Sequence, residues 1–195
     1  MQRQFRQLRK QHPDYWNLPV PGSGNPDSGL VILGLAPGKH GANRTGIPFT
    51  GDASGDLLFA TLKKLSLIDK VMITNAVKCL PIQNKPSTNE ISNCQQYLRA
   101  EIASRAGGST VFLALGRVAH NALLKAFEVT MAQFPFSHGA QHTLNDHGLL
   151  VDSFHCSRYN TQTKRLTPSM FEKVVAQAAT LADLEPTKRI ASDRV

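Results

Sequence analysis

One stretch, residues 33–55 (LGLAPGKHGANRTGIPFTGDASG), concentrates side chains able to do chemistry. It holds a carboxylate (Asp52), an imidazole (His40), a guanidinium (Arg44) and an aromatic face (Phe49) among six glycines, Gly34, Gly38, Gly41, Gly46, Gly51 and Gly55. Glycines let backbone come close to a ligand. A carboxylate orients water or offsets positive charge, and an aromatic ring stacks on a planar group. A loop that only connects two elements needs none of these. Residues 30–33 before it are a short apolar run, read as a buried strand. Residues 56–65 after it (DLLFATLKKL) repeat Leu57, Leu58, Thr61, Leu62 and Leu65 at helical spacing. The loop therefore leaves the C-terminal end of a strand and enters a helix, the edge at which open α/β sheets bind ligands.

The elements that must position this loop follow the same logic. Residues 71–77, 110–115 and 149–154 join 30–33 as strand candidates. Helical patterns at 56–65, 88–105 and 117–127 separate the first three, and a last helix is expected from about 168 to 184, with Thr167 as N-cap and Pro168 at its first position. Ser87 and Glu90 make a capping-box pattern. Strand alternating with helix predicts parallel strands joined by crossovers, hence a three-layer α/β/α sandwich around a mainly parallel four-stranded sheet. Residues 15–27, broken by three prolines and two glycines, must be irregular, with Trp16 expected to pack them onto the core. Residues 127–147 are also read as irregular and contain three of the seven histidines.

The chain of 195 residues is read as one domain, 1–195, with a basic N-terminal arm (1–11) and a frayed tail (185–195). Its net charge of +8 favours a polyanionic partner such as nucleic acid. No apolar run is long enough to span a bilayer, and the basic start lacks the apolar core of a signal peptide. A cytoplasmic monomer is expected. Three cysteines, an odd count, do not suggest a disulfide framework.

Taken in order, GLAPGKHGANRTGIPFTGDASG (34–55), TNAVKCLPIQNKPSTNEISNC (74–94) and SFHCSRYNTQTKRLT (153–167) resemble the uracil-DNA glycosylase superfamily, and its family 5 branch most closely. The resemblance runs from about residue 12 to 183, and three ordered motifs are far more specific than one. It implies an enzyme that flips uracil, and other deaminated bases, out of DNA and cleaves the N-glycosidic bond, leaving an abasic site. By the same resemblance, Gly34, Phe49, Asn75 and His155 form the base pocket, with Phe49 as stacking face and Asn75 reading the uracil edge. His155 is placed to stabilise the departing base, and Asp52 to orient water or offset the cationic sugar. Arg44, Ser157, Arg158, Asn160 and Arg165 are placed on the DNA.

The chain departs from the superfamily pattern at several points. Leu35 stands where other branches carry an acidic or amide residue that activates water, which is the family 5 pattern and throws weight onto Asp52. His155-Cys156-Ser157 replaces His-Pro-Ser, and Lys164 stands where glycine is common. The resemblance also implies a [4Fe–4S] cluster, for which Cys79 and Cys94 match two of four ligands. The N-terminal Cys-x-x-Cys pair has no counterpart: either the chain is N-terminally truncated or mis-started, or the cluster has been lost, and truncation is the expectation.

Two rival readings stand beside this one. The first is a nucleotide-binding enzyme in which residues 34–39 (GLAPGK) act as a phosphate loop, although one residue is missing between the glycines and His40 replaces the Ser or Thr. The second is a non-catalytic DNA-binding relative that keeps the fold without the chemistry.

Overall fold

The computed structural model describes residues 2–83, 85–103, 105 and 109–184. The tail expected to fray, 185–195, lies outside them. The elements run α1 (Gln2–Gln11), β1 (Ser23–Gly24), β2 (Leu30–Gly34), α2 (Ala42–Thr45), α3 (Ala53–Lys64), β3 (Met72–Asn75), α4 (Thr88–Ala103), β4 (Val111–Leu115), α5 (Arg117–Ala126), β5 (Gln141–Thr143), β6 (Leu149–Ser153), α6 (Arg158–Gln162) and α7 (Pro168–Leu181).

β2 (LVILG) and β4 (VFLAL) are buried at every position. Strands covered on both faces read as unbroken apolar runs, which is why the sequence shows them without alternation. Their side chains divide cleanly between two layers. Leu30, Ile32, Val111, Leu113 and Val151 join residues of α3 and α7 in one core. Val31, Leu33, Phe112, Ala114 and Leu150 join residues of α4 and α5 in the other. The α/β class and the helices on both faces are as expected.

Among the described residues the sheet has six strands rather than four, in the order β1-β3-β2-β4-β6-β5. The four expected strands are its parallel centre. The two additions are antiparallel margins, β1 on β3 and β5 on β6. They fall inside segments read as irregular, because two or three polar residues carry no apolar period and owe their form to the neighbouring ladder. Trp16 also departs from expectation. It is 44% exposed, its indole N–H donates to the Pro19 carbonyl, and its ring covers Gly46, not the core.

The caps behave as the residue types require. The Thr167 side chain accepts from Met170 N ahead of Pro168. Ser87 Oγ accepts from Glu90 N at 3.3 Å, and Ser87 N donates back to Glu90 Oε2 at 2.8 Å. No helix among the described residues is long and apolar enough to cross a membrane.

Phe171, fully buried where α7 meets the sheet, is a sensitive probe of this architecture. Phe171→Ala is expected to destabilise the fold by about 3–5 kcal/mol in urea unfolding, the transfer and cavity cost of a lost core ring. A loss under about 1 kcal/mol would show that this layer repacks freely.

Candidate active site

β2 ends at Gly34 and β3 at Asn75, and the two are register partners. The pairing continues beyond the strands, with Ala76 N donating to Gly34 O and Val77 N to Leu35 O, both at 2.9 Å. Two loops therefore leave the sheet side by side. A Cβ on Gly34 would stand 2.4 Å from Asn75 Oδ1 and 2.4 Å from Phe49 Cζ. Only a hydrogen at that position lets both groups close over the strand end.

Phe49 is buried and has φ +59°. Left-handed backbone at a bulky residue is an outlier that its surroundings must hold in place. Gly55 does so, since a Cβ there would lie 1.5 Å from the Phe49 carbonyl oxygen. The Phe49 ring stacks on His155 with centroids 6.3 Å apart and planes 26° apart.

Asp52 caps α3. Its Oδ1 accepts from Ser54 N and Gly55 N, both at 3.0 Å. Its Oδ2 has no hydrogen-bond partner among the described residues and lies over Gly38 and Gly41, where Cβ atoms would come within 3.2 and 2.7 Å. One oxygen starts a helix, and the other is left for the cavity that Asp52 and Gly38 both line.

His155 follows β6. Its backbone carbonyl accepts from Asn160 Nδ2 at 2.8 Å, and its Cβ packs on Gly116, whose φ of +98° places it at the start of α5. Its Nδ1 is buried with no partner among the described residues. Burial pushes the imidazole below its ordinary range, against the opposing pull of the Asp52 charge, so the ring is neutral at neutral pH.

These groups enclose a cavity of about 250 Å³, lined by Phe49, Asp52, Asn75, His155 and Ser157 with Leu35 and the 36–38 backbone. Asn75 is 3% exposed, yet its amide has no hydrogen-bond partner among the described residues. A buried amide and a buried imidazole nitrogen, both unpaired, mark a place built for a polar ligand.

A model of the uracil-DNA glycosylase superfamily matches residues 21–179. The chain belongs to that superfamily. It is 43% identical to a type-5 uracil-DNA glycosylase of Thermus thermophilus over 183 residues, covering 87% of this chain and 83% of the relative. It is 39% identical to a type-5 uracil-DNA glycosylase of Pyrobaculum aerophilum, covering 85% and 77%. A type-4 uracil-DNA glycosylase of Saccharolobus solfataricus is 31% identical, covering 80% and 74%. The phosphate-loop rival fails on structure as well, since residues 34–39 lead into the four-residue α2 and not into a long helix.

In this superfamily member the residues expected on DNA take different positions. Arg158 is exposed in α6, and Ser157 caps that helix through Asn160 N while lining the pocket. Arg165 is exposed, its guanidinium 4.6 Å over the Phe154 ring beside His155. Arg44 is exposed on α2 with Nη2 against Gly51, next to Asp52. The Asn160 amide is committed to the His155 carbonyl and so fixes the loop. Lys164 has φ +58°, which accounts for glycine being common at that place. Sequence reasoning did not single out Gly116 or Ser54; a glycine closing the apolar run of β4 was the available signal.

Half-buried Cys79 and buried Cys94 line a second cavity of about 490 Å³ with Lys78, Tyr97 and Glu101. Burial pushes the Cys79 thiol up, and Cys94 and Glu90 push the same way. Cys156 belongs to the other site: its Sγ donates to Ser54 O, and burial drives its thiol up to about 12. Four thiolates make the usual [4Fe–4S] ligand set, and this sequence brings two to that cavity. The residues present do not hold such a cluster by themselves.

The lowered His155 has a consequence for stability. The unfolded chain takes up that proton near the ordinary value of 6.5, before the folded chain does. Stability present above that pH is therefore lost as pH falls through it. His155→Gln should flatten the fall in urea midpoint between neutral pH and about pH 5.5. An unchanged slope would place the titrating groups elsewhere.

Proposed function

We propose that the chain flips uracil out of DNA and hydrolyses its N-glycosidic bond, leaving an abasic site. The chain is a DNA glycosylase, and the reading rests on one observation: an aromatic face, an unpaired amide, a carboxylate oxygen and an unpaired imidazole nitrogen meet in one cavity. Each answers a need of the reaction. Phe49 stacks on the extruded base. The Asn75 amide offers a donor and an acceptor to its pairing edge. As the bond breaks, the base gains negative charge and the sugar becomes cationic. His155, neutral and desolvated, donates a hydrogen bond that strengthens as charge develops on the base. Asp52 Oδ2 orients water or offsets the sugar charge, while Oδ1 keeps the carboxylate in register with α3.

No lysine stands in the motif positions where a Schiff-base nucleophile is needed, so the enzyme is monofunctional. Arg44, Ser157, Arg158, Asn160 and Arg165 hold or orient the DNA around the pocket. Other deaminated bases are accepted to the degree that Asn75 can pair with them. A catalytically silent relative would not need Asp52 and His155 in the same cavity. The whole chain acts as one domain and as a cytoplasmic monomer. Cys79 and Cys94 stand together as two candidate ligands of a [4Fe–4S] cluster, half the usual set.

Single-turnover excision on a uracil duplex tests the assignment. Asp52→Asn and His155→Ala should each slow excision at saturating enzyme by about 10²–10⁴-fold while changing DNA affinity little. Phe49→Ala should mainly weaken capture of the extruded base. Parent-rate excision by both of the first two variants would remove the chemistry from this cavity. For the cluster, the purified chain should carry far less than four iron atoms, and an N-terminal extension supplying a Cys-x-x-Cys pair should restore iron and brown colour. Stoichiometric iron in the present chain would overturn that ligand assignment.

A further inference from the structure

Away from the pocket, three side chains from three elements converge: His120 on α5, His142 on β5 and Asp152 on β6. One ligating atom of each lies within 4.8 Å of the others. Asp152 is fully buried, His120 is 1% exposed and His142 is half-buried. His120 Nδ1 is 2.7 Å from Asp152 Oδ1, and His142 Nε2 is 3.3 Å from Oδ2. His120 Nε2 is 2.9 Å from the Phe134 carbonyl oxygen. A carbonyl only accepts, so Nε2 carries the hydrogen and donates it. A neutral His120 then turns the lone pair of Nδ1 toward a carboxylate oxygen. Two lone pairs at 2.7 Å, out of water, require a positive centre between them, either a proton or a metal ion.

Three features favour the metal. A metal-ligating histidine characteristically donates its outer N–H to a backbone carbonyl, which fixes the tautomer and aims the other nitrogen. The three donors lie within 4.8 Å of one another, close enough to share one ion; the 3.3 Å between His142 Nε2 and Asp152 Oδ2 suits neighbouring donors bonded at about 2.0–2.1 Å, and binding would widen the 2.7 Å between His120 Nδ1 and Asp152 Oδ1 by roughly half an ångström. Phe136 stands edge-on to His120 and Phe134 edge-on to His142, giving an apolar wall around the donors. His142 lies on the marginal strand β5 and is partly exposed.

We propose that His120, His142 and Asp152 bind a divalent transition-metal ion of the zinc class, tying β5 and α5 to β6. The adjoining segment is tied to the same strand, Gly139 N donating to the Asp152 carbonyl and His138 Nδ1 accepting from Phe154 N at 3.1 Å, one residue before His155. The ion takes no part in the glycosylase reaction, so its test does not depend on that reaction.

The test uses the full chain, stripped of metal and carrying Cys79→Ser and Cys94→Ser, so that the thiols cannot compete. Calorimetric titration with Zn²⁺ should show one equivalent. Co²⁺ should give visible d–d bands without thiolate charge transfer, and zinc should raise Tm. His142→Gln keeps a donor toward Asp152 and removes the ligand; it should weaken zinc binding at least about tenfold and abolish the rise in Tm, with the circular dichroism of the parent. His120→Asn is the second variant, with the same expectation. No zinc uptake by the Cys→Ser protein, or uptake unchanged in both histidine variants, would show a cluster held by shared protons and would overturn the proposal.

Discussion

The absence of a side chain at Gly34 is the constraint on which the pocket depends. Two parallel strands end there in register, and the space a methyl would fill is occupied by the Phe49 ring and the Asn75 amide. A base-sized slot between two strand ends needs that approach on one side, and the crossing loop must then hold a phenylalanine in a left-handed conformation. Gly55 permits this, and Asp52 locks it by capping the helix that follows. Local strain at Phe49 is thus balanced by hydrogen bonds three residues on.

The electrostatics of the slot follow from the same packing. Placing His155 against Phe49 and under Gly116 removes water from the imidazole, and desolvation outweighs the attraction of Asp52. In the proposed reaction, the neutral ring acts as a donor whose hydrogen bond strengthens as charge develops on its partner. Outside the slot, a net charge of +8 draws the polyanion toward the molecule without choosing a base.

Much of this was legible in the chain. The central strands announce themselves because both faces are buried, and Thr167-Pro168 and Ser87-Glu90 mark helix starts by chemistry that needs no tertiary partner. Phe49, Asp52, Asn75 and His155 were legible only as an ordered set, since each alone reads as an ordinary loop, cap or core residue. What stayed hidden depends on contacts between distant segments. Asn160 has no sequence mark that assigns its amide to the His155 carbonyl. Trp16 covers a glycine thirty positions away rather than the core. β5, as Gln-His-Thr, carries no strand period, and its histidine meets Asp152 only after the sheet has formed.

The two marginal strands have a further consequence. At two and three residues, β1 and β5 leave no long ladder of unpaired backbone at either border of the sheet. An open parallel sheet ordinarily invites another chain to pair with its edge, and short antiparallel borders withdraw that invitation. The sheet therefore offers a second copy of the chain little backbone with which to extend its ladder.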